Sequence, residues 1–221
     1  MSKTFIVLGI AMWVAVLLGG TLFLAAGRVD LPFFWATLLV WVGSTTVTGL
    51  IMDRDLMRER SQFGGGKSGK LAQILGLPAV ICPFLVAGLD VGRFHWSDSV
   101  PTGAQVGGLG VVVAGFGLIA WSIRVNRFFA KAVRIQEDRE QTVVTAGPYR
   151  YIRHPGYCGF ALIFLASSIA LGAWLSCVPS LGMALFFVWR TGVEDRFLQA
   201  HLEGYAEYAE RVPYRLIHGV W

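Results

Sequence analysis

Long apolar runs separated by short polar stretches dominate the chain. Six stand out, at 4–26, 31–52, 71–89, 102–123, 157–177 and 178–193. A hydrocarbon core about 30 Å thick takes roughly 20 helical residues to cross. The first four runs therefore predict full transmembrane helices. The last two are shorter and meet at Ser176-Cys177-Val178-Pro179, which predicts a tight helical hairpin and leaves open whether both arms cross. The first run follows Lys3 and, at about twenty-three residues, exceeds the roughly 7–15 of a signal-peptide core, so it reads as a retained span. The expected fold is an all-α polytopic membrane helical bundle of five to six spans, with a C-terminal hairpin and polar segments beside it. No repeat is evident. Residues 1–123 read as N-terminal transmembrane helices with almost no internal polarity. Residues 124–221 hold nearly all the candidate chemistry, within one integrated membrane domain.

Charge fixes the expected orientation. Of 19 Lys and Arg residues, all but Arg28 and Arg93 fall at Lys3, in 53–70, in 124–156 or in the last part of the chain. By the positive-inside rule, both termini and both long loops are expected in the cytoplasm, in a multi-pass arrangement such as that of a prokaryotic inner membrane. The net charge of +5 thus reflects topology, and no nucleic-acid partner is expected, because the basic residues lie beside spans and not on a soluble module. Cys82, Cys158 and Cys177 show no paired spacing and read as small core residues. The four histidines are dispersed, so no metal site is expected. Gly66-Lys67-Ser68 invites a phosphate-loop reading, but Ser61 stands where that loop needs glycine. The stretch 53–70 reads instead as a flexible positive loop. Arg124, Arg127, Lys131 and Arg134 recur at helical spacing, which predicts an interfacial continuation of the fourth span among lipid headgroups.

Two clusters carry the candidate chemistry. The first is "GPYRYIRHPGYCGF", 147–160, at the mouth of an apolar run. Pro148, Pro155, Gly147, Gly156 and Gly159 prevent a smooth helix over 147–157. Irregular backbone at that depth is tolerated only where protein or a cavity satisfies its polar groups. The second begins with Arg190 and Glu194, which share a helix face at i, i+4 where the last run ends. Asp195 follows, then "GYAEYAERVP" at 204–213, with Tyr205 and Tyr208 three apart. Ionisable groups at the end of a span are costly and point to function.

The first cluster resembles the RHPxYxG signature of integral-membrane isoprenylcysteine carboxyl methyltransferases and their phospholipid-methyltransferase relatives. "RTGVED" at 190–195, followed by 204–213, resembles their C-terminal signature, and the two occur in the family's order around a hairpin. The resemblance covers about 124–221. It implies a cofactor, S-adenosyl-L-methionine, held by Gln136, Gln141, Thr142, Val143, Val144, Tyr149, His154, Pro155, Gly156, Tyr157 and Glu194. It further implies that Glu194 meets the cofactor's amino group and that Arg190 holds a substrate carboxylate, these two being the catalytic residues. Where the family shows two glutamates, this chain has Glu194-Asp195, which leaves the role of Asp195 open. The implied activity is carboxyl O-methylation of a lipophilic, isoprenylcysteine-like acceptor at the membrane–cytosol boundary, among membrane lipids. A phospholipid amine or small thiol as acceptor, and a sterol-reductase-like oxidoreductase using NADPH, stay open as alternatives. The acceptor itself and the oligomeric state are not legible.

Overall fold

The computed structural model describes residues 2–61, 67–130 and 133–221. Eight α-helices make up the described fold: α1 (Lys3–Ala26), α2 (Pro32–Ile51), α3 (Arg54–Ser61), α4 (Lys67–Leu89), α5 (Thr102–Val125), α6 (Pro155–Ala170), α7 (Cys177–His201) and α8 (Tyr205–Arg211). Their ends follow local chemistry. Ser2 caps α1, its hydroxyl accepting from the Phe5 N–H, and Gly27 closes it in the left-handed region with its N–H on the Phe23 carbonyl. Pro32 and Pro155 open α2 and α6, where the missing N–H costs nothing.

Four segments are long and apolar enough to cross a membrane: Lys3–Ala26, Pro32–Ile51, Gly76–Phe94 and Thr102–Val125. The protein is an integral membrane protein. Helix α6 has 16 residues, about 24 Å at 1.5 Å per residue, and falls short of the hydrocarbon thickness. Helix α7 has 25 residues and does not stop where its apolar run stops at 193. It carries Arg190, Glu194 and Asp195 out of the apolar layer to His201. The hairpin turn lies at 171–176, earlier than the sequence suggested, because Gly172 takes a positive φ of 79°.

The long helices alternate in direction, so Lys3, α3, the start of α4, the described residues of 126–154 and everything after 201 gather at one end. The 27–31, 95–101 and 171–176 turns gather at the other. Trp41 joins four helices at the centre. Its ring meets Phe84 and Phe116 edge-on at 5.3 Å each and Phe164 at 5.8 Å, and its indole N–H donates to Ser167 Oγ at 2.9 Å. Helices α5 and α6 cross closely where two glycines face each other. A Cβ on Gly115 would stand 3.0 Å from the Gly159 carbonyl, and one on Gly159 would stand 2.8 Å from that of Gly115. Such contact between small residues is how helices gain packing energy in lipid.

Four expectations need correction. The segment 124–135 does not continue the fourth span as a helix. Helix α5 ends at Val125, and the Asn126 side chain accepts from the Phe128 N–H at 2.8 Å and donates to the Tyr149 hydroxyl at 2.9 Å, turning the chain inward. A side chain that offers the backbone another partner stops a helix. Within 53–70, residues 54–61 are helical because the Asp53 carboxylate takes the Leu56 N–H at 2.7 Å and Leu56 is fully buried. The phosphate-loop glycines at 64–66 lie outside the described residues. The cysteines are not core residues. Cys82 is exposed and the other two are half-buried, as apolar side chains can be when lipid surrounds the helix. Residues 1–123 also hold internal polarity: Asp90 is wholly buried in a π-helical turn, Asp90–Phe94, and accepts from Ser97 Oγ at 2.5 Å.

Candidate active site

The polar end of the bundle encloses a cavity of about 330 Å³. Three sequence-distant pieces build it: the strap after α5, the broken 147–157 backbone, and the end of α7 with α8. The strap is held by Gln136, which is buried. Its Nε2 donates to the Phe128 carbonyl at 2.8 Å, its Oε1 accepts from Arg139 at 2.7 Å, and its N–H donates to Gln141 Oε1 at 2.8 Å. Residues 141–144 then line the wall outside any helix. Among the described residues the N–H groups of Thr142, Val143 and Val144 have no backbone partner, so this strip presents unused donors.

Helix α3 roofs the cavity. Glu59 takes Arg134 Nε and Nη2 at 3.2 and 3.0 Å, tying α3 to the strap, and Arg134 also reaches Asp138 at 2.9 Å. The neighbouring Arg60 donates to the Phe129 carbonyl at 3.0 Å, lies over that ring at 5.3 Å and lines the cavity. Phe129 can lie this close because residue 156 is glycine: a Cβ there would stand 2.4 Å from the Phe129 ring.

The far wall comes from α7. The Tyr157 hydroxyl donates to Glu194 Oε2 at 2.5 Å and accepts from Arg190 Nε at 2.7 Å. The i, i+4 pair is thus bridged by a phenol from α6. Behind it lies Asp195, with no exposed surface. It accepts from Arg153 Nε and Nη2 at 2.7 and 2.9 Å, Arg215 Nε at 2.9 Å, Gln199 at 2.8 Å and the Tyr205 hydroxyl at 3.1 Å. His154 Nε2 lies 3.2 Å from the same carboxylate and stacks on Tyr157 at 5.9 Å. Arg153 also donates to the Val212 carbonyl at 2.7 Å, the backbone N–H groups of Arg153 and His154 donate to the carbonyls of Tyr214 and Arg215 at 2.9 Å each, and Tyr208 donates to the Tyr149 carbonyl at 2.7 Å. The 213–216 segment therefore clasps the RHP backbone. Broken backbone inside a protein needs such partners.

Burial decides the charge states at the edge of the site. It pushes the phenols of Tyr149, Tyr205 and Tyr208 upward, so all three stay protonated. It pushes Arg60 down to about 10, where the guanidinium is still a cation at neutral pH.

Of the residues expected around a cofactor, Gln136, Gln141, Thr142, Val143, Val144, Tyr149, His154, Gly156, Tyr157 and Glu194 all line this one cavity, as does Arg190. Pro155 does not; it is buried as the first residue of α6. Sequence reasoning missed Arg60, Asn126, Phe128, Phe129 and the aromatic wall of Phe160, Phe186 and Phe187. Among the described residues no cluster of His, Cys, Asp or Glu is arranged to hold a metal ion.

Comparison with known proteins gives this geometry a family. Residues 104–204, from within α5 to just past α7, match the phospholipid methyltransferase family model. This region is similar to the phospholipid methyltransferase family. The family expected from the RHPGYCG and RTGVED segments is the one found. Relatives include a cobalt-zinc-cadmium resistance protein of Cupriavidus metallidurans, 31% identical over 142 residues, which are 63% of this chain and 61% of the relative. The protein-S-isoprenylcysteine O-methyltransferase of Schizosaccharomyces pombe is 30% identical over 93 residues, 41% of this chain and 39% of its own. A probable protein-S-isoprenylcysteine O-methyltransferase of Oryza sativa subsp. japonica is 34% identical over 92 residues, 41% of this chain and 48% of its own. The matches thus span between about two fifths and three fifths of these relatives. Within the matched residues, α5 and α6 supply the close helix crossing and α7 the charged wall.

Proposed function

We propose that this protein transfers a methyl group from S-adenosylmethionine to the carboxylate of a lipophilic acceptor at the membrane–cytosol boundary. One observation carries the reading. Phe186 lines the cavity and is also 42% exposed on the outer face of α7, beside exposed Leu185 and Trp189. The cavity thus has a polar interior and an apolar wall that reaches the lipid-facing surface. Phe160 and Phe187 stack at 5.2 Å to continue that wall inward. A water-soluble acceptor would have no use for such an entrance.

The residues present fit the cofactor. Thr142–Val144 offer unused backbone donors for a nucleobase edge, Glu194 a carboxylate for an amino group, and Tyr149 and Tyr157 aromatic faces. S-adenosylmethionine, when bound, supplies an electrophilic methyl group on a sulfonium sulfur. That methyl group would pass to a lone pair of the acceptor carboxylate, with the sulfur leaving as a neutral thioether that keeps the C–S electron pair. No proton moves, so no general base is needed, and the chain's part is orientation and exclusion of water. His154, engaged with Asp195 and Tyr205, positions the wall. The polar end, which among the described residues gathers the Lys and Arg residues other than Arg28 and Arg93, faces the cytosol in this reading, where the cofactor is made.

The detergent-purified full chain should bind S-adenosylmethionine in a calorimeter and should not bind NADPH. It should move a labelled methyl group to N-acetyl-S-farnesylcysteine. Binding of NADPH alone would replace this reading with the oxidoreductase one. Methylation of an amine or thiol probe and not of the acid would change the acceptor class.

A further inference from the structure

Most cations at the cavity already have a carboxylate to answer them. Arg134 holds Glu59 and Asp138, Arg153 holds Asp195, and Arg190 reaches Glu194 through the Tyr157 hydroxyl. Arg60 is different. Among the described residues no carboxylate lies within 4.0 Å of it. A guanidinium has five N–H donors, and Arg60 gives one hydrogen bond, to a backbone carbonyl. A part-buried cation without a counter-ion is costly, and the fold places one on a cavity wall. Its neighbour Glu59 could have paired elsewhere but is held by Arg134 in the roof.

The position of Arg60 says which molecule it meets. Leu56, one turn earlier on α3, packs in the apolar cluster with Ile119, Phe129 and Phe160. Tyr149, Val143, Val144 and Leu202 form a separate cluster. Arg60, resting on the Phe129 ring, thus belongs to the aromatic end that leads through Phe160 and Phe187 to lipid. The backbone donors and the tyrosine cluster mark the cofactor end, and Tyr157, within electrostatic reach of Arg60 and packed on Phe187, lies between the two.

We propose that Arg60 is the residue that binds the acceptor's anionic group and sets the preference for a carboxylate over a neutral or cationic polar end. This rests on the cavity being a methyl-transfer site. Arg60 and Arg190, together with the positive charge a bound methyl donor would bring, would draw in an anionic acceptor and refuse an ammonium one. Arg190, already committed to Tyr157 and Glu194, shapes the cofactor wall, and the planar fork of Arg60 suits a carboxylate.

The test measures binding of N-acetyl-S-farnesylcysteine and its carboxamide to the full chain in detergent, without methyl donor, and separately the affinity for S-adenosylmethionine. The wild type should prefer the acid by about tenfold or more, as a charge-assisted contact provides. Arg60→Gln should erase that preference and leave cofactor affinity unchanged, and Arg60→Lys should keep part of it. In turnover, Arg60→Gln should raise KM for the acid far more than it lowers kcat. Equal binding of acid and amide by the wild type overturns the proposal, as does a full acid preference in Arg60→Gln. A glutamine variant that loses cofactor binding instead assigns Arg60 to the cofactor's own carboxylate and also overturns it. A wild type that prefers the acid but binds no S-adenosylmethionine defeats the methyl-transfer reading while leaving Arg60 as a carboxylate site.

Discussion

Asp195→Asn should be the most damaging single change in the site. The carboxylate has no exposed surface, and its partner Arg153 is 5% exposed. Removing the negative charge strands that guanidinium in the interior. Breaking a buried ion pair from one side costs about 3–5 kcal/mol, because the remaining charge is left uncompensated. The asparagine amide also turns a donor toward groups that all donate. Arg215 shares the carboxylate but is 32% exposed, so Arg215→Gln should cost well under half as much. The measurement is the thermal midpoint of the detergent-solubilised protein, followed by retention of the monodisperse peak. Arg153→Gln combined with Asp195→Asn should be milder than the sum of the singles, since the double variant leaves only the part-exposed Arg215 without its carboxylate. An unchanged midpoint for Asp195→Asn would mean the network contributes nothing to stability.

Glu194→Gln should weaken S-adenosylmethionine binding by about tenfold to a hundredfold, the loss expected when one charge-assisted hydrogen bond of roughly 1.5–3 kcal/mol becomes a neutral one. The geometry adds a contrast. Tyr157→Phe removes the hydroxyl that donates to Glu194 and accepts from Arg190, yet leaves both charges in place. The two can then pair directly at i, i+4, an interaction worth only a few tenths of a kcal/mol in isolation. Affinity should therefore fall less in Tyr157→Phe than in Glu194→Gln. Calorimetry on both variants decides: wild-type affinity in Glu194→Gln takes that carboxylate out of the cofactor wall, and an equal loss in the two would assign the role to the phenol.

How much of this was legible depended on the range of the interactions. The four long spans were, because an apolar run of sufficient length carries its own argument. The broken backbone at 147–157 and the charges ending the last run were also visible, because prolines, glycines and ionisable residues at a membrane boundary are locally conspicuous. The end of α5 was not. Nothing near Asn126 announces that its amide will meet a tyrosine 23 residues away, and the basic spacing of 124–134 imitated a helix. Arg60 was equally hidden, since its place depends on α3 docking through Leu56 and on Glu59 being held by Arg134. Asp195 looked like a shortened copy of its neighbour, and only the fold brings Arg153, Arg215, Gln199 and Tyr205 onto it.

The clasp of the RHP backbone by residues 213–216 has a consequence for biosynthesis. The N–H groups of Arg153 and His154 wait for the carbonyls of Tyr214 and Arg215, and Asp195 waits for the Arg215 guanidinium. A ribosome delivers these partners after all eight helices have been made. Insertion into the bilayer and completion of the pocket are therefore separate events in time. A nascent chain passes through a stage in which it is threaded through the membrane but cannot yet hold a ligand, and a product cut short at Val212 would stay there.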